Sequence, residues 1–170
     1  MIEPVVIGLG GNIGTADAIV ERFADARAAI ATLGERGEVR SAPLYRSAPL
    51  GPAQPAFLNT AVCVALAGGQ PSELIATLLE LERMLGRTRR AAARWGPRRI
   101  DLDVLVWGAR IIRTLELEVP HPRLAERKFA LAPLCALLGE DFVVPGLATP
   151  AGELVRRVAA QDCEELAATW

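Results

Sequence analysis

Residues 99–107, RIDLDVLVW, alternate apolar and polar side chains with a period of two, which fits an extended strand with one face buried. Ile100, Leu102 and Val104 fall on the apolar face, and Asp101 and Asp103 share the other. A strand that buries one face and carries paired carboxylates on the other needs a sheet beside it and a covering layer beneath it.

The rest of the chain supplies both. VVIGLGG (residues 5–11) reads as a buried first strand, and Thr15 is placed to cap a helix with Ile19, Phe23, Ala26, Ile30 and Leu33 on one face, closed by Gly34. EVRSAPLYRSAPL is extended but interrupted by proline, PLGPAQPAF is a loop, and FLNTAVCVALA is a further strand rich in aliphatic and β-branched residues. A second helix follows, with Pro71 near its first turn, Leu74, Ile75, Leu78, Leu81 and Leu85 at helical spacing, and Gly86 just past its end. GRTRRAAAR reads as a mobile connector into residues 99–107, IIRTLELEV as a partner strand, and short helices are expected near residues 133–138 and 150–160. The order strand-helix-strand-strand-helix-strand predicts an α+β fold of ferredoxin-like type, mainly an antiparallel sheet with flanking helices, with residues 1–170 forming one domain. A doubly wound parallel sheet would need more alternation of strand and helix.

Length and composition agree with one globular core: 170 residues, 51% hydrophobic and 23% charged. No apolar run reaches the roughly 18–20 residues of a membrane helix, and MIEPVVIGLGG lacks the basic start and cleavage site of a signal peptide, so a soluble cytoplasmic monomer is expected. Cys63, Cys135 and Cys163 are odd in number, widely spaced and set among aliphatic neighbours, as inert thiols are. The formal charge of -1 conceals an uneven distribution, because residues 83–99 hold seven arginines and no acid. That stretch predicts an anionic ligand.

Which anion depends on the motifs. Gly8–Gly14, GLGGNIG, follows a strand and precedes a helix, but Ile13 stands where a dinucleotide fingerprint needs its third glycine, so the segment reads as a tight strand-to-helix turn, with Asn12 available to support a nearby site. A phosphate loop ending in Gly-Lys-Ser/Thr is excluded, since the single lysine, Lys128, lies elsewhere. Arginines remain as phosphate clamps: Arg87, Arg89, Arg90, Arg94, Arg98 and Arg99. Alone they would equally suit a solvated face or an RNA-binding patch. Asp101 and Asp103 change that balance, because paired carboxylates repel nucleic acid yet hold Mg²⁺ together with substrate phosphates. His121, the only histidine, is open to a structural role at a turn or a phosphate contact. Phe57 and Asn59 offer a ring and an amide on one strand face, a pair suited to a flat heterocycle rich in hydrogen bonds.

RWGPRRIDLDVLVWG closely resembles the signature of the 6-hydroxymethyl-7,8-dihydropterin pyrophosphokinases of folate biosynthesis. The resemblance extends to IGLGGNIG, YRSAPLGPAQPAFLN, the Glu-x-x-x-Gly-Arg-x-Arg stretch from Glu82 to Arg89, and VPHPRLAERKFALAPL. It implies transfer of the β,γ-pyrophosphoryl group of ATP to the pterin hydroxymethyl, with release of AMP and participation of two Mg²⁺ ions. By resemblance Asp101 and Asp103 bind the metals and are catalytic together with Arg87 and Arg98. ATP is expected at Glu82, Arg89, Arg94, Trp95, Arg98, His121 and Arg127, and the pterin at Ser47, Ala48, Leu50, Phe57, Asn59 and Phe129. Residues 47–55 and 86–95 correspond to loops that close over the substrates. Phe57 replaces a tyrosine common in the family, Pro122 follows the histidine in place of an aromatic, the connector is one residue longer so that Arg89 and Arg90 compete for one role, and Glu116 and Glu118 stand where basic or hydroxyl residues occur. The alternatives are a catalytically silent relative and a ferredoxin-like polyanion-binding module.

Overall fold

A computed structural model describes residues 2–87 and 96–170. Its elements run β1 (Ile2–Gly11), α1 (Ala16–Ala31), β2 (Val39–Ser41), β3 (Leu44–Ser47), β4 (Phe57–Ala67), α2 (Pro71–Met84), β5 (Asp101–Trp107), β6 (Ile112–Arg113), β7 (Glu118–Val119), α3 (Lys128–Leu138), α4 (Ala151–Arg157) and β8 (Cys163–Ala167). The main sheet has the order β5-β1-β4-β3-β8, with β2 also paired to β4 and every pairing antiparallel. Through β4 and β5 this is the expected ferredoxin-like α+β arrangement.

Alternation along the strands divides the core into two layers. Val5, Ile7 and Leu9 of β1 and Leu102 and Val104 of β5 pack with Phe23, Ile30 and Leu78 beneath α1 and α2. Val6, Ala61 and Leu105 pack on the opposite face with Leu131, Leu134 and Leu154 of α3 and α4. Helix α1 begins where its sequence says: the Thr15 hydroxyl accepts the Ala18 amide at 3.3 Å, and Ile19, Phe23, Ala26 and Ile30 are buried. Helix α2 starts on Pro71, whose missing N–H costs nothing at that position. Among the described residues no helix is long and apolar enough to cross a membrane.

Three expectations need correction. IIRTLELEV does not join the main sheet; Ile112–Arg113 and Glu118–Val119 form a separate two-stranded ribbon, with the Thr114 hydroxyl and amide both bonded to the Leu117 carbonyl across its turn. The glycines of GLGGNIG lie mostly in β1 rather than in a turn: β1 runs to Gly11, and within the stretch only Gly14 takes a left-handed backbone, at φ +108°. Gly11 instead permits a close approach, since a Cβ there would lie 2.7 Å from the Arg99 carbonyl oxygen. Finally, the first of the late helices starts at Lys128, earlier than expected, and the C-terminal residues form a strand on the open edge of β3.

Candidate active site

Strand β5 carries Asp101 and Asp103 on the α3 face, opposite the buried Leu102 and Val104, as its alternation predicts. Their cross-strand partners in β1 are Gly10 and Gly8, and Gly10 pairs in turn with Asn59 of β4. A row of side chain, bare backbone and side chain results, and the two glycines leave a floor on which a flat molecule can lie. The floor is close-fitting, because a Cβ on Gly10 would lie 3.4 Å from Asn59 Oδ1 and one on Gly8 would lie 3.3 Å from the Leu105 side chain. A cleft that opens to solvent lies above this floor.

One end of the cleft is ionic. Both Asp101 oxygens meet guanidinium groups, Oδ1 accepting from Arg87 at 2.5 Å and Oδ2 from Arg98. Asp103 is different. Its side chain is 44% exposed toward the cleft, yet the protein surrounding it and the neighbouring Asp101 carboxylate push its carboxyl up to about 7. His121 Nε2 lies 4.0 Å from it. His121 is neutral, pushed down to about 4 by burial and by the Arg127 and Arg123 cations. The Arg123 amide donates to His121 Nδ1 at 3.1 Å, which leaves the ring proton on Nε2, the nitrogen nearer Asp103. The His121 amide bonds the Leu105 carbonyl of β5 at 2.9 Å, which registers the ring beside the carboxylates. Arg127 enters the same space from the start of α3, and burial together with Arg123 pushes its guanidinium down, a sign that cations crowd here.

The other end is apolar and amide-lined. Asn59 is 4% exposed; its Nδ2 donates to Ser47 Oγ at 2.9 Å, fixing which way the amide points. Phe57 and Phe129 flank this end with Ala48 and Leu50, and the Arg127 guanidinium lies 5.5 Å from the centre of the Phe129 ring. Ser47, Ala48, Leu50, Phe57, Asn59, Arg98, Asp101, Asp103, His121, Arg127 and Phe129 therefore line one cleft. Arg89, Arg94 and Trp95 lie outside the described residues.

Glu82, expected at ATP, does not line the cleft. It is 2% exposed on α2, with Oε1 accepting from the Leu102 amide at 2.7 Å and from Arg87. Burial pushes its carboxyl up while the Leu102 amide and Arg87 pull it down, and Oε2 has no partner among the described residues. It braces β5 and Arg87 from behind the cleft. Gly8, Gly10, Gln54 and Leu105 also line the cleft and were not singled out as site residues; the alternation of small and large residues in VVIGLGG was the available signal for the glycine floor. Asn12 does support the site: its Nδ2 donates to Gln54 Oε1 and the Pro55 carbonyl, both at 3.0 Å, while its Oδ1 accepts the Arg98 amide at 2.9 Å. One buried side chain thereby joins the proline-rich loop to the arginine segment.

Solved structures of Plasmodium falciparum HPPK-DHPS share the fold, with a TM-score of 0.69 at 13% identity in one case and 0.67 at 14% in another, and this chain spans under half the length of those chains. The curated 2-amino-4-hydroxy-6-hydroxymethyldihydropteridine pyrophosphokinase of Synechocystis is 36% identical over 158 residues, covering 93% of this chain and 76% of the relative. The Bacillus subtilis protein of the same name is 40% identical, covering 77% and 75%. The Pisum sativum folate synthesis bifunctional protein is 42% identical over 140 residues, of which this chain spans only 25%. Residues 6–139 match the family model of 7,8-dihydro-6-hydroxymethylpterin-pyrophosphokinase, and they carry the carboxylate pair, His121, Arg127 and the Phe57-Asn59 wall; the chain belongs to that family.

Proposed function

We propose that the chain transfers the β,γ-pyrophosphoryl group of ATP to the hydroxymethyl group of 6-hydroxymethyl-7,8-dihydropterin, as one catalytic domain. The observation that carries this reading is the joining of two unlike ends in one cleft: paired carboxylates, arginines and an Nε2-protonated histidine face an aromatic and amide wall. The pterin ring is assigned to the space between Phe57 and Phe129, its polar edge read by Asn59 and by the backbone near Ser47 and Ala48.

The substrate hydroxyl oxygen attacks the β-phosphorus, the new O–P bond forms as the bond from that phosphorus to the α,β-bridging oxygen breaks, and AMP leaves with the bridging oxygen. Arg87 and Arg98 exchange their Asp101 partners for phosphate oxygens, and His121 Nε2–H and Arg127 donate to the same chain of phosphates. The proton that the hydroxyl loses passes to Asp103 or to an oxygen beside it. The oxygen donors of Asp101 and Asp103 fit Mg²⁺, and among the described residues no group of three or more potential ligands forms a closed metal cage, so phosphate and water would complete the coordination. When bound, two Mg²⁺ ions would offset the phosphate charge. Glu82 keeps Arg87 and the start of β5 in place for all of this.

Incubation with ATP, Mg²⁺ and 6-hydroxymethyl-7,8-dihydropterin should give AMP and pterin diphosphate in equal amounts, quantified by chromatography, and EDTA should abolish both. ADP in place of AMP would overturn the assignment of the attacked phosphorus. No product would point to the silent relative.

A further inference from the structure

Helix α3 opens with a problem that its own sequence does not solve. The first N–H groups of a helix lack intrahelical acceptors, and the residue before α3 is Arg127, whose guanidinium has donors only. The acceptor comes from far along the chain: Gln161 Oε1 takes the Lys128 amide at 2.9 Å. The same side-chain amide donates through Nε2 to the Glu126 carbonyl at 2.7 Å. Both ends of the Gln161 amide are thus used, one on each side of Arg127. The Lys128 ammonium adds bonds to the Gln161 carbonyl at 3.2 Å and the Ala159 carbonyl at 3.3 Å.

The next residue reaches the opposite wall of the cleft. The Asp162 carbonyl accepts the Ala48 amide at 3.2 Å, and from Cys163 onward β8 pairs with β3, Cys163 opposite Ser47. Consecutive residues therefore grip the segment that presents Arg127 and Phe129 and the segment that presents Ser47 and Ala48. Neither Gln161 nor Asp162 lines the cleft, and both lie beyond residues 6–139 that match the family model.

We infer that Gln161 is a positioning residue that sets the distance between the two walls of the pterin end of the cleft, through its paired bonds to Glu126 and Lys128 and the adjoining Asp162–Ala48 bond. Resting on the proposed pterin pyrophosphokinase reaction, this gives the C-terminal segment a part in substrate recognition without contact to substrate. Removing the amide takes two bonds from the junction between the Phe129 wall and the β3 wall and leaves the Lys128 ammonium bonds to main-chain carbonyls, while the carboxylates and His121, which hang on β5, keep their supports.

The test compares Gln161→Ala with the intact protein in the AMP-release assay. The pterin KM should rise about tenfold, the size expected from two lost hydrogen bonds, the ATP KM should rise less although Arg127 rides on the same segment, and kcat should change by less than about threefold. Glu164→Ala, which removes the exposed Arg46–Glu164 ion pair from the same strand pairing, should leave all three constants unchanged. A lowered melting temperature with an unchanged pterin KM would show a merely structural residue and overturn the inference. Gln161→Glu keeps an acceptor for the Lys128 amide and loses the donor to Glu126, so it carries the test if the alanine variant does not fold: a pterin KM raised about threefold supports the inference, and an unchanged one overturns it. If the intact protein releases no pterin-dependent AMP, the reaction assigned above fails first, and this inference falls with it.

Discussion

The two ends of the cleft are built on opposite plans. At the ionic end the carboxylates come from one short strand, and their surroundings are in tension: Asp101 has both oxygens committed to Arg87 and Arg98, while Asp103, two residues on, is held near the point of protonation. At the apolar end, to which the pterin is assigned above, the groups come from β3, β4 and the start of α3, and they are already settled, with Asn59 locked to Ser47 and the glycine floor fixed by the sheet. The difference separates recognition from chemistry. A preformed wall binds a rigid heterocycle without reorganising, whereas charges held against one another are released when phosphates and cations enter.

The largest expected effect tests the ionic end. Asp103→Ala and Asp101→Ala should each reduce kcat by about a thousandfold or more, about 4 kcal/mol of transition-state stabilisation, while the pterin KM stays within about threefold. Steady-state kinetics at several Mg²⁺ concentrations decide it. If either variant keeps most of its turnover, the carboxylates serve only to park the arginines, and the contrast between the two ends collapses.

These plans also explain what the sequence disclosed. Arg98 and the two carboxylates of the ionic end were legible because they lie close together in sequence and a two-residue period reports directly on which side chains share a face. Glu82 was placed at ATP by resemblance alone, and its burial, which the Leu102 amide and Arg87 explain, was not legible in the sequence. Helices α1 and α2 were legible from period and caps. β8 was not, since CEELA has no alternation of its own and becomes a strand because β3 offers an open edge. The ribbon at 112–119 was misread as one strand because strands of two residues carry no period. The bonds of Asn12 and Gln161 span tens of residues, so the sequence offered Asn12 as a support without its partners and did not mark Gln161 at all.

A second prediction uses acid. His121 is depressed to about 4 from a free value near 6.5, so between those pH values the unfolded chain binds more protons than the folded one and stability must fall as pH is lowered, by at most about 3 kcal/mol. Asp103, raised to about 7, acts in the opposite direction: from about pH 4 to 7 the folded chain holds the extra proton, and stability falls as pH rises. In the metal-free protein the two trends offset each other. Asp103→Asn should therefore expose a loss of stability toward acid, and His121→Gln a loss toward neutral pH, both read from urea midpoints between pH 4 and 7. Identical profiles in the two variants would remove the tension ascribed to the ionic end.

The smallest effects belong to the apolar end, and their ranking sharpens the contrast. Asn59→Ala removes a buried amide whose orientation Ser47 fixes, and leaves the polar edge of the ligand without a partner, so the pterin KM should rise roughly thirtyfold, about 2 kcal/mol, with kcat nearly constant. Phe57→Leu keeps an apolar group at the half-buried end of β4 but loses the ring face, which is worth about 1 kcal/mol or a factor of about five in the same constant. Both losses should appear in binding because the wall makes its contacts before the phosphorus is attacked and keeps them unchanged while bonds are made and broken. A fall in kcat of more than about tenfold in either variant would mean that this wall tightens as the reaction proceeds, and that recognition and chemistry are not divided between the two ends.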